Sequence, residues 1–489
     1  MPITASMLYS LVTCPHRVTM DLFADPAERD PISPFVKLLW KRGTVHEDET
    51  IGELDLPFLN LSGFATEEKE RLTTDAMARG ESLIYSGRIR ADDLLGEPDL
   101  LRRSGSGYIA GDIKSGVGLE GPEDLRRPKL HYAVQLGLYM DILERKGLCG
   151  GRTPFVWDIA GEEFFYDLDA PRSERNPQSL WMEYQDRLAQ ARGIVAKTVT
   201  TLPAYGAVCK LCHWHSACLT RLEAADDLTL LPGLGRCKRD AMIDRIGTIS
   251  TLSEINVDEF LHGDKTVFPR VGLRSLHRFQ ERAKLVKTAD PRPYLREPIM
   301  LPVADLEIFF DVEVDPLRDI CYLHGFVERW GRDDATRRYT GMFTDDPDSD
   351  EESAFAAAWR FLSERPSAAI YYYSPYERTI WRRLQERYPT VCSEAEVEEL
   401  FRSERTVDLY HDVVRPSTEW PTRDYSIKSL ARYLGHEWRD QSPSGAESIE
   451  WFDRWYRSRD VNLKRRILEY NEDDCAAMGV LLEGIRNLS

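Results

Sequence analysis

The sequence predicts a mixed α/β protein of several domains, and three observations carry that reading. Its 489 residues point to about three domains at ordinary domain size. Strand-like runs such as YIAGDIK and LEIFFDVEV are interspersed with long helical patterns. A Pro-rich connector, TADPRPYLREPIMLP at 288–302, precedes a run of strands. The resulting blocks are 1–222, 223–290 and 303–489.

Composition narrows the classes. At 42% hydrophobic and 30% charged residues, the chain has material for packed cores, which excludes disorder of the whole. No run of about 18 apolar residues occurs, so no membrane-spanning helix and no membrane partner are expected. The N-terminal MPITASMLYSLVTCPHR lacks a basic region ahead of its short apolar run, which argues against a signal peptide. A cytoplasmic protein is expected. The net charge of −18 disfavours non-specific coating of duplexes. It does not exclude chemistry on nucleic acid, because carboxylates that hold divalent cations are acidic only until loaded. Nine cysteines, odd in number and unevenly spread, do not read as a secreted disulfide framework.

In the first block, Asp99 ends one short segment and Asp112-Ile-Lys114 lies in the next strand-like run. With a side-chain period of two, residues 112 and 114 share a face. Two carboxylates and a lysine at a hairpin suit a divalent cation plus a group that steadies charge on phosphorus. Glu67 and Lys69 satisfy the same acid-x-Lys spacing, and solvated surface charge is the competing reading for both pairs. His46 and Glu47 fall in a helical pattern upstream. Gln135 and Tyr139 stand at i and i+4 on a later helix.

Taken together, this stretch resembles the RecB-type branch of the PD-(D/E)XK nucleases. The resemblance implies a restriction-endonuclease-like domain with His46, Asp99 and Asp112 as ligands for Mg²⁺ or Mn²⁺. It also implies that Lys114 is catalytic and that Gln135 and Tyr139 form the QxxxY helix. Glu47 has no assigned part in the match.

Cys209-x2-Cys212-x5-Cys218 ends the block and Cys14 sits near its start, so four thiolates from both ends could clamp one cluster. That arrangement is similar to the iron–sulfur members of the same branch, such as AddB and the CRISPR adaptation nucleases. It implies a [4Fe-4S] cluster on Cys14, Cys209, Cys212 and Cys218. Zinc is the alternative, with His213 or His215 in place of one cysteine. Cys149 and Cys237 lack a partner pattern and are expected in the core.

In the middle block, LLPGLGRCKRDAMIDRIG places Gly233 and Gly235 between two amphipathic patterns, with Arg236, Lys238 and Arg239 following. A tight turn there would present backbone N–H groups to an anion. The stretch resembles a helix–hairpin–helix, which implies DNA-backbone contacts at Gly233, Gly235, Arg236 and Lys238. A plain helical linker is the competing reading.

The third block opens with an antiparallel meander, and in IFFDVEVD both Asp311 and Glu313 point to one face. Burying two acids side by side is costly unless a metal binds them. Glu377 follows at a strand-to-helix junction, and Tyr470 and Asp474 stand at i and i+4 on the last helix. This set resembles a DEDD exonuclease of the RNase H-like fold, of the YprB type found fused to RecB-like nucleases. The resemblance implies that Asp311, Glu313, Glu377 and Asp474 hold two metal ions beside Tyr470. Glu377 departs from the family's usual aspartate, and Asp408 is a candidate auxiliary acid. A structural acidic patch is the competing reading.

The whole is expected to be a metal-dependent nuclease hydrolysing DNA, exonucleolytic on single-stranded ends, in repair or processing. Two alternatives stand beside it. Activity could lie in the C-terminal block as a 3′–5′ exonuclease on DNA or RNA. The chain could instead be a silent nucleic-acid-binding adaptor of a helicase. No GxxxxGK[ST] motif occurs, so any motor would be a helicase acting in trans.

Overall fold

The computed structural model describes residues 1–121, 126–173, 176–347 and 349–488. Residue 348, within the acidic loop 344–352, lies outside the described residues. The chain forms two compact units, Met1–Thr220 and Arg221–Ser489.

The first unit opens with helices α1 (Ala5–Thr13), α2 (Pro15–Phe23), α3 (Pro34–Gly52) and α4 (Thr66–Arg79). Its main sheet has strands β1 (Leu59–Asn60), β2 (Leu83–Tyr85), β3 (Leu100–Ser104), β4 (Gly107–Ile113), β5 (Phe155–Trp157) and β6 (Glu163–Phe165). They lie in the spatial order β6-β5-β4-β3-β2-β1. β3 and β4 form an antiparallel hairpin, and β4 pairs in parallel with β5. All seven residues of β4, GYIAGDI, are buried, because neighbours cover both faces. One cover is α5 (Leu130–Arg145), ten of whose residues are buried, so it is a core helix rather than a one-sided surface helix. α6 (Leu180–Val195) packs on α5, and α7 (His215–Ala224) follows a short 3₁₀ helix at Ala207–Leu211.

The second unit begins with α8 (Gly235–Met242), α9 (Ile249–Glu254) and α10 (Leu273–Lys287), which enclose a small core of their own around Leu234, Met242, Leu252 and Phe279. Next come β7 (Leu306–Asp315), β8 (Ile320–Trp330), β9 (Arg338–Phe343), α11 (Glu351–Ser363), β10 (Ala369–Tyr372), α12 (Tyr376–Arg387), α13 (Glu394–Arg402) and β11 (Thr406–Asp408). The one-turn α14 (Arg415–Ser417), α15 (Ile427–Tyr433), α16 (Gly445–Ser458) and α17 (Val461–Arg486) complete the chain. The sheet order is β9-β8-β7-β10-β11: three antiparallel strands, as expected from the meander, extended by two parallel ones.

β7 is buried on both faces. Its even positions, Ile308, Phe310, Val312 and Val314, join a core with α11 and α12 residues such as Phe355 and Trp381. Its odd positions face the other way, where Phe309 packs in the core that includes Met478 and Leu482 of α17. The acids of the strand, at 307, 311, 313 and 315, therefore all share the α17 side.

Gly325 of β8 makes that approach possible. A Cβ on residue 325 would stand 1.5 Å from Asn471 Oδ1 of α17. Gly325→Ala should lower stability by roughly 1–3 kcal/mol through overpacking, measured by urea denaturation.

Candidate active sites

In the first unit, the β3–β4 hairpin brings together the ends of two strands. Asp99 directly precedes β3, and its Oδ2 accepts the backbone N–H of Ile113 at 2.8 Å. Asp112 is buried at 1% exposure, with Lys114 Nζ 2.8 Å from its Oδ2. Lys114 lies one residue past β4, where its N–H continues the ladder by donating to Trp157 O. Burial, followed by the charge of Asp112, pushes Asp99 well above the carboxylate range. Burial opposes the charge on Lys114, yet Asp112 and Asp99 outweigh it and hold the ammonium above the ordinary lysine value. Lys114 and Asp112 are thus in direct contact, with Asp99 within reach of both charges.

Glu47, left without a part by the sequence, borders this set. Its Oε1 accepts the Tyr85 hydroxyl at 2.9 Å, and its charge contributes to the rise at Asp99. His46 is its neighbour on α3, with a buried Nε2 that has no hydrogen-bond partner. On α5, Gln135 Nε2 donates to Tyr139 OH at 3.4 Å, and that hydroxyl donates to Glu97 O at 3.3 Å. The rival acid-x-Lys pair separates from this constellation: Glu67 and Lys69 lie on helix α4, where residues two apart do not share a face, and Lys69 donates to Ser86 Oγ.

Cys14, at the junction of α1 and α2, lines one small cavity together with Cys209, Cys212 and Cys218. Burial raises the Cys212 thiol, and Cys14 adds to the rise. His215 also lines the cavity, and its Nε2 has no hydrogen-bond partner, whereas His213 Nε2 bonds Asp21 at 2.8 Å. Cys149 is half-buried and Cys237 exposed, contrary to the core position expected for both. Cys237 stands on the outer side of a short helix that turns Arg239 and Met242 inward.

Gly233 and Gly235 both take left-handed φ, +75° and +65°, so the tight turn requires glycine at each. Lys238 turns back to donate to Gly233 O at 2.7 Å, and Arg282 donates to Pro232 O. Arg239 is buried against Asp227 at 2.6 Å. Arg236 is half-buried in the first turn of α8.

In the second unit, Asp311, Glu313 and Asp474 each offer a carboxylate oxygen within 4.8 Å of the others. Asp311 Oδ2 accepts Asn471 Nδ2 at 2.7 Å, and Asn471 in turn accepts the Tyr339 hydroxyl. Glu313 Oε2 accepts the Tyr322 hydroxyl at 3.3 Å. Asp474 accepts Trp438 Nε1 at 2.7 Å and Lys428 Nζ at 2.9 Å on each oxygen. Lys428 also donates to the Tyr470 hydroxyl at 2.9 Å. None of Lys428, Trp438, Asn471 or Tyr322 was singled out from the sequence. They come from α15, a loop, a neighbouring turn of α17 and β8, and only packing joins them.

Glu377, in the first turn of α12, is buried with Oε2 unpartnered, and its charge bears on Asp311. Burial, with Asp408 adding, lifts it well above the usual range. Asp408 itself is a positioning group. It accepts the N–H groups of Ser374, Tyr410 and His411 and pairs with the His411 ring, which fixes Ser374 at a strained φ of +89° just before Glu377.

These residues fit a divalent cation. Hard cations take carboxylate oxygens, and clustered buried carboxylates with an orphaned oxygen gain most from one. Burial, then Asp474, raises Glu313 to about 8 from an ordinary 4.5. An unfolded chain releases this proton above about 4.5, while the metal-free fold retains it up to about 8. Stability contributed below the lower value is therefore lost as pH rises through that window. Glu313→Gln should raise the metal-free melting temperature at about pH 9 by roughly 5 °C, with little effect at about pH 5, measured in chelator by calorimetry.

Comparison with known families agrees with this geometry. The PD-(D/E)XK nuclease superfamily matches residues 29–219, and the RNase_H superfamily matches residues 308–485. No curated protein matches the chain. No helix among the described residues is long and apolar enough to cross a membrane. The chain thus carries a PD-(D/E)XK nuclease superfamily domain and an RNase H-like domain in a mixed α/β multidomain fold.

Proposed function

We propose that this protein is a metal-dependent nuclease that hydrolyses DNA phosphodiesters, exonucleolytically on single-stranded ends, in repair or processing. The observation that carries the reading is the clustering of Asp99, Asp112 and Lys114 within the matched nuclease region. His46, Asp99 and Asp112 would hold Mg²⁺ or Mn²⁺, which supplies charge neutralisation at phosphorus and an activated water. Lys114, kept protonated by its acids, would donate to a phosphate oxygen. Gln135 and Tyr139 bound the site from α5 and position the segment that carries Asp99 through Glu97.

A second reading is favoured by the convergence of Asp311, Glu313 and Asp474, with Glu377 and Tyr470 beside them. Here the second unit trims nucleic acid, DNA or RNA, from the 3′ end. A helicase supplied in trans is a compatible partner for either reading. The turn at Gly233 and Gly235, with Arg236 and Lys238, would hold the backbone of the strand through its N–H groups. Such a role requires Lys238 to leave the Gly233 carbonyl.

We further assign Cys14, Cys209, Cys212 and Cys218 to a [4Fe-4S] cluster, a reading supported by their common cavity. Zinc with His215 is the rival. Protein purified anaerobically should be brown and contain iron, and Cys212→Ala should lose the visible absorbance and melt lower. Stoichiometric zinc without iron would reverse the assignment.

On end-labelled DNA and RNA with Mg²⁺ or Mn²⁺, Asp112→Ala and Lys114→Ala should each reduce cleavage by at least about 100-fold with unchanged circular dichroism. Asp311→Ala combined with Asp474→Ala should remove any 3′-end trimming. If only the second pair matters, the active site is the C-terminal one. Cleavage untouched by either set rejects the nuclease reading.

A further inference from the structure

The second carboxylate cluster already holds a cation of its own. An ammonium has three N–H donors and no acceptor. Lys428 directs one to each oxygen of Asp474 and one to the Tyr470 hydroxyl, all at 2.9 Å, so its position is fully determined. The stem is held as well: Nζ lies 4.9 Å from the Tyr470 ring and 5.6 Å from that of Trp438. Side-chain exposure is 23%, so the charge is largely withdrawn from solvent.

The lone pairs of Asp474 can be counted. Each carboxylate oxygen has two. Oδ1 accepts both Trp438 Nε1 and Lys428 Nζ, and Oδ2 accepts Lys428 Nζ. The Tyr470 hydroxyl bonds the same carboxylate, so the protein's own donors occupy all four lone pairs of Asp474. Asp311 bonds Glu377 as well as Asn471, and Glu313 bonds Ser448 as well as Tyr322. The three carboxylates still bring one oxygen each within 4.8 Å of the others, which suits one shared ion once the Tyr470 hydroxyl turns aside. A second ion on Asp474 would have to displace the ammonium.

We propose that Lys428 is a resident cation that takes the place of a second divalent ion, so that the cluster of Asp311, Glu313 and Asp474 binds one Mg²⁺ or Mn²⁺ rather than two. This rests on the reading of that cluster as a metal site. Lys428 acts through Asp474 and Tyr470 and is a positioning residue.

The test counts bound Mn²⁺ by electron paramagnetic resonance and calorimetric titration. It uses the full chain in an Asp112→Ala background, so that the first unit contributes equally throughout. Lys428→Met should bind one more Mn²⁺ than its parent, and Lys428→Arg, which keeps the charge, should bind the parental number. Circular dichroism checks that each variant is folded, and should Lys428→Met fail to fold, Lys428→Gln replaces it. Asp311→Ala combined with Asp474→Ala provides the reference: if it leaves Mn²⁺ binding unchanged, the cluster is not a metal site and the underlying reading fails. If that pair lowers binding but Lys428→Met and Lys428→Arg both match the parent in number and affinity, the cluster is a metal site and the proposal for Lys428 is overturned. A parent that already binds two ions at the cluster overturns it equally.

Discussion

Like charges on one strand face govern the second unit. β7 sets Glu307, Asp311, Glu313 and Asp315 on the same side, under a helix, where ionised carboxylates are costly unless paired. The outer two are neutralised by arginine: Glu307 by Arg329 and Arg486 at 2.5 Å each, and Asp315 by Arg318. The inner two have no arginine and accept neutral donors instead, from Asn471 and Tyr322. The strand thus settles its charge at both ends with arginine and leaves the middle pair to neutral donors. The remaining elements of the cluster follow from that: α17 must come close enough to add Asp474, and a glycine in β8 lets it.

The two units reach a similar composition from different folds. Each pairs carboxylates with one lysine whose ammonium bonds an acid of the set, Lys114 to Asp112 at 2.8 Å and Lys428 to Asp474 at 2.9 Å. In the first the lysine is the acid's neighbour but one along the chain. In the second it comes from a helix 46 residues earlier. A lysine so held lowers the repulsion among the acids.

Much of this was legible in the chain, for reasons that also mark the limit. Period-two and period-four spacing show which side chains share a face, so Asp112 with Lys114, Asp311 with Glu313, and Tyr470 with Asp474 could be paired by reading alone. The meander was equally plain. Spacing says nothing about which distant residue arrives opposite. Glu307 and Asp315 have the same character as Asp311 and Glu313 in sequence, and only their arginine partners tell them apart. Lys428, Trp438 and Asn471 belong to the cluster through tertiary packing and carry no local mark. The turn at Gly233 is legible from its glycines, but the inward bond of Lys238 to Gly233 O is not. Cys237 was expected inside because cysteine usually is, whereas α8 is too short to bury more than one side.

Glu419 joins α10 to the strand-rich part of the second unit. It is fully buried, accepts Arg278 at 2.7 Å and Arg282 at 2.8 Å, and lies 3.7 Å from Arg296. Every one of those guanidinium groups precedes residue 303. A fragment begun after the Pro-rich connector, at residue 303, would therefore keep the anion and lose these cations, an imbalance that costs about 3–5 kcal/mol for a buried charge. The helical segment and the sheet behind it are thus one folding unit in the electrostatic sense.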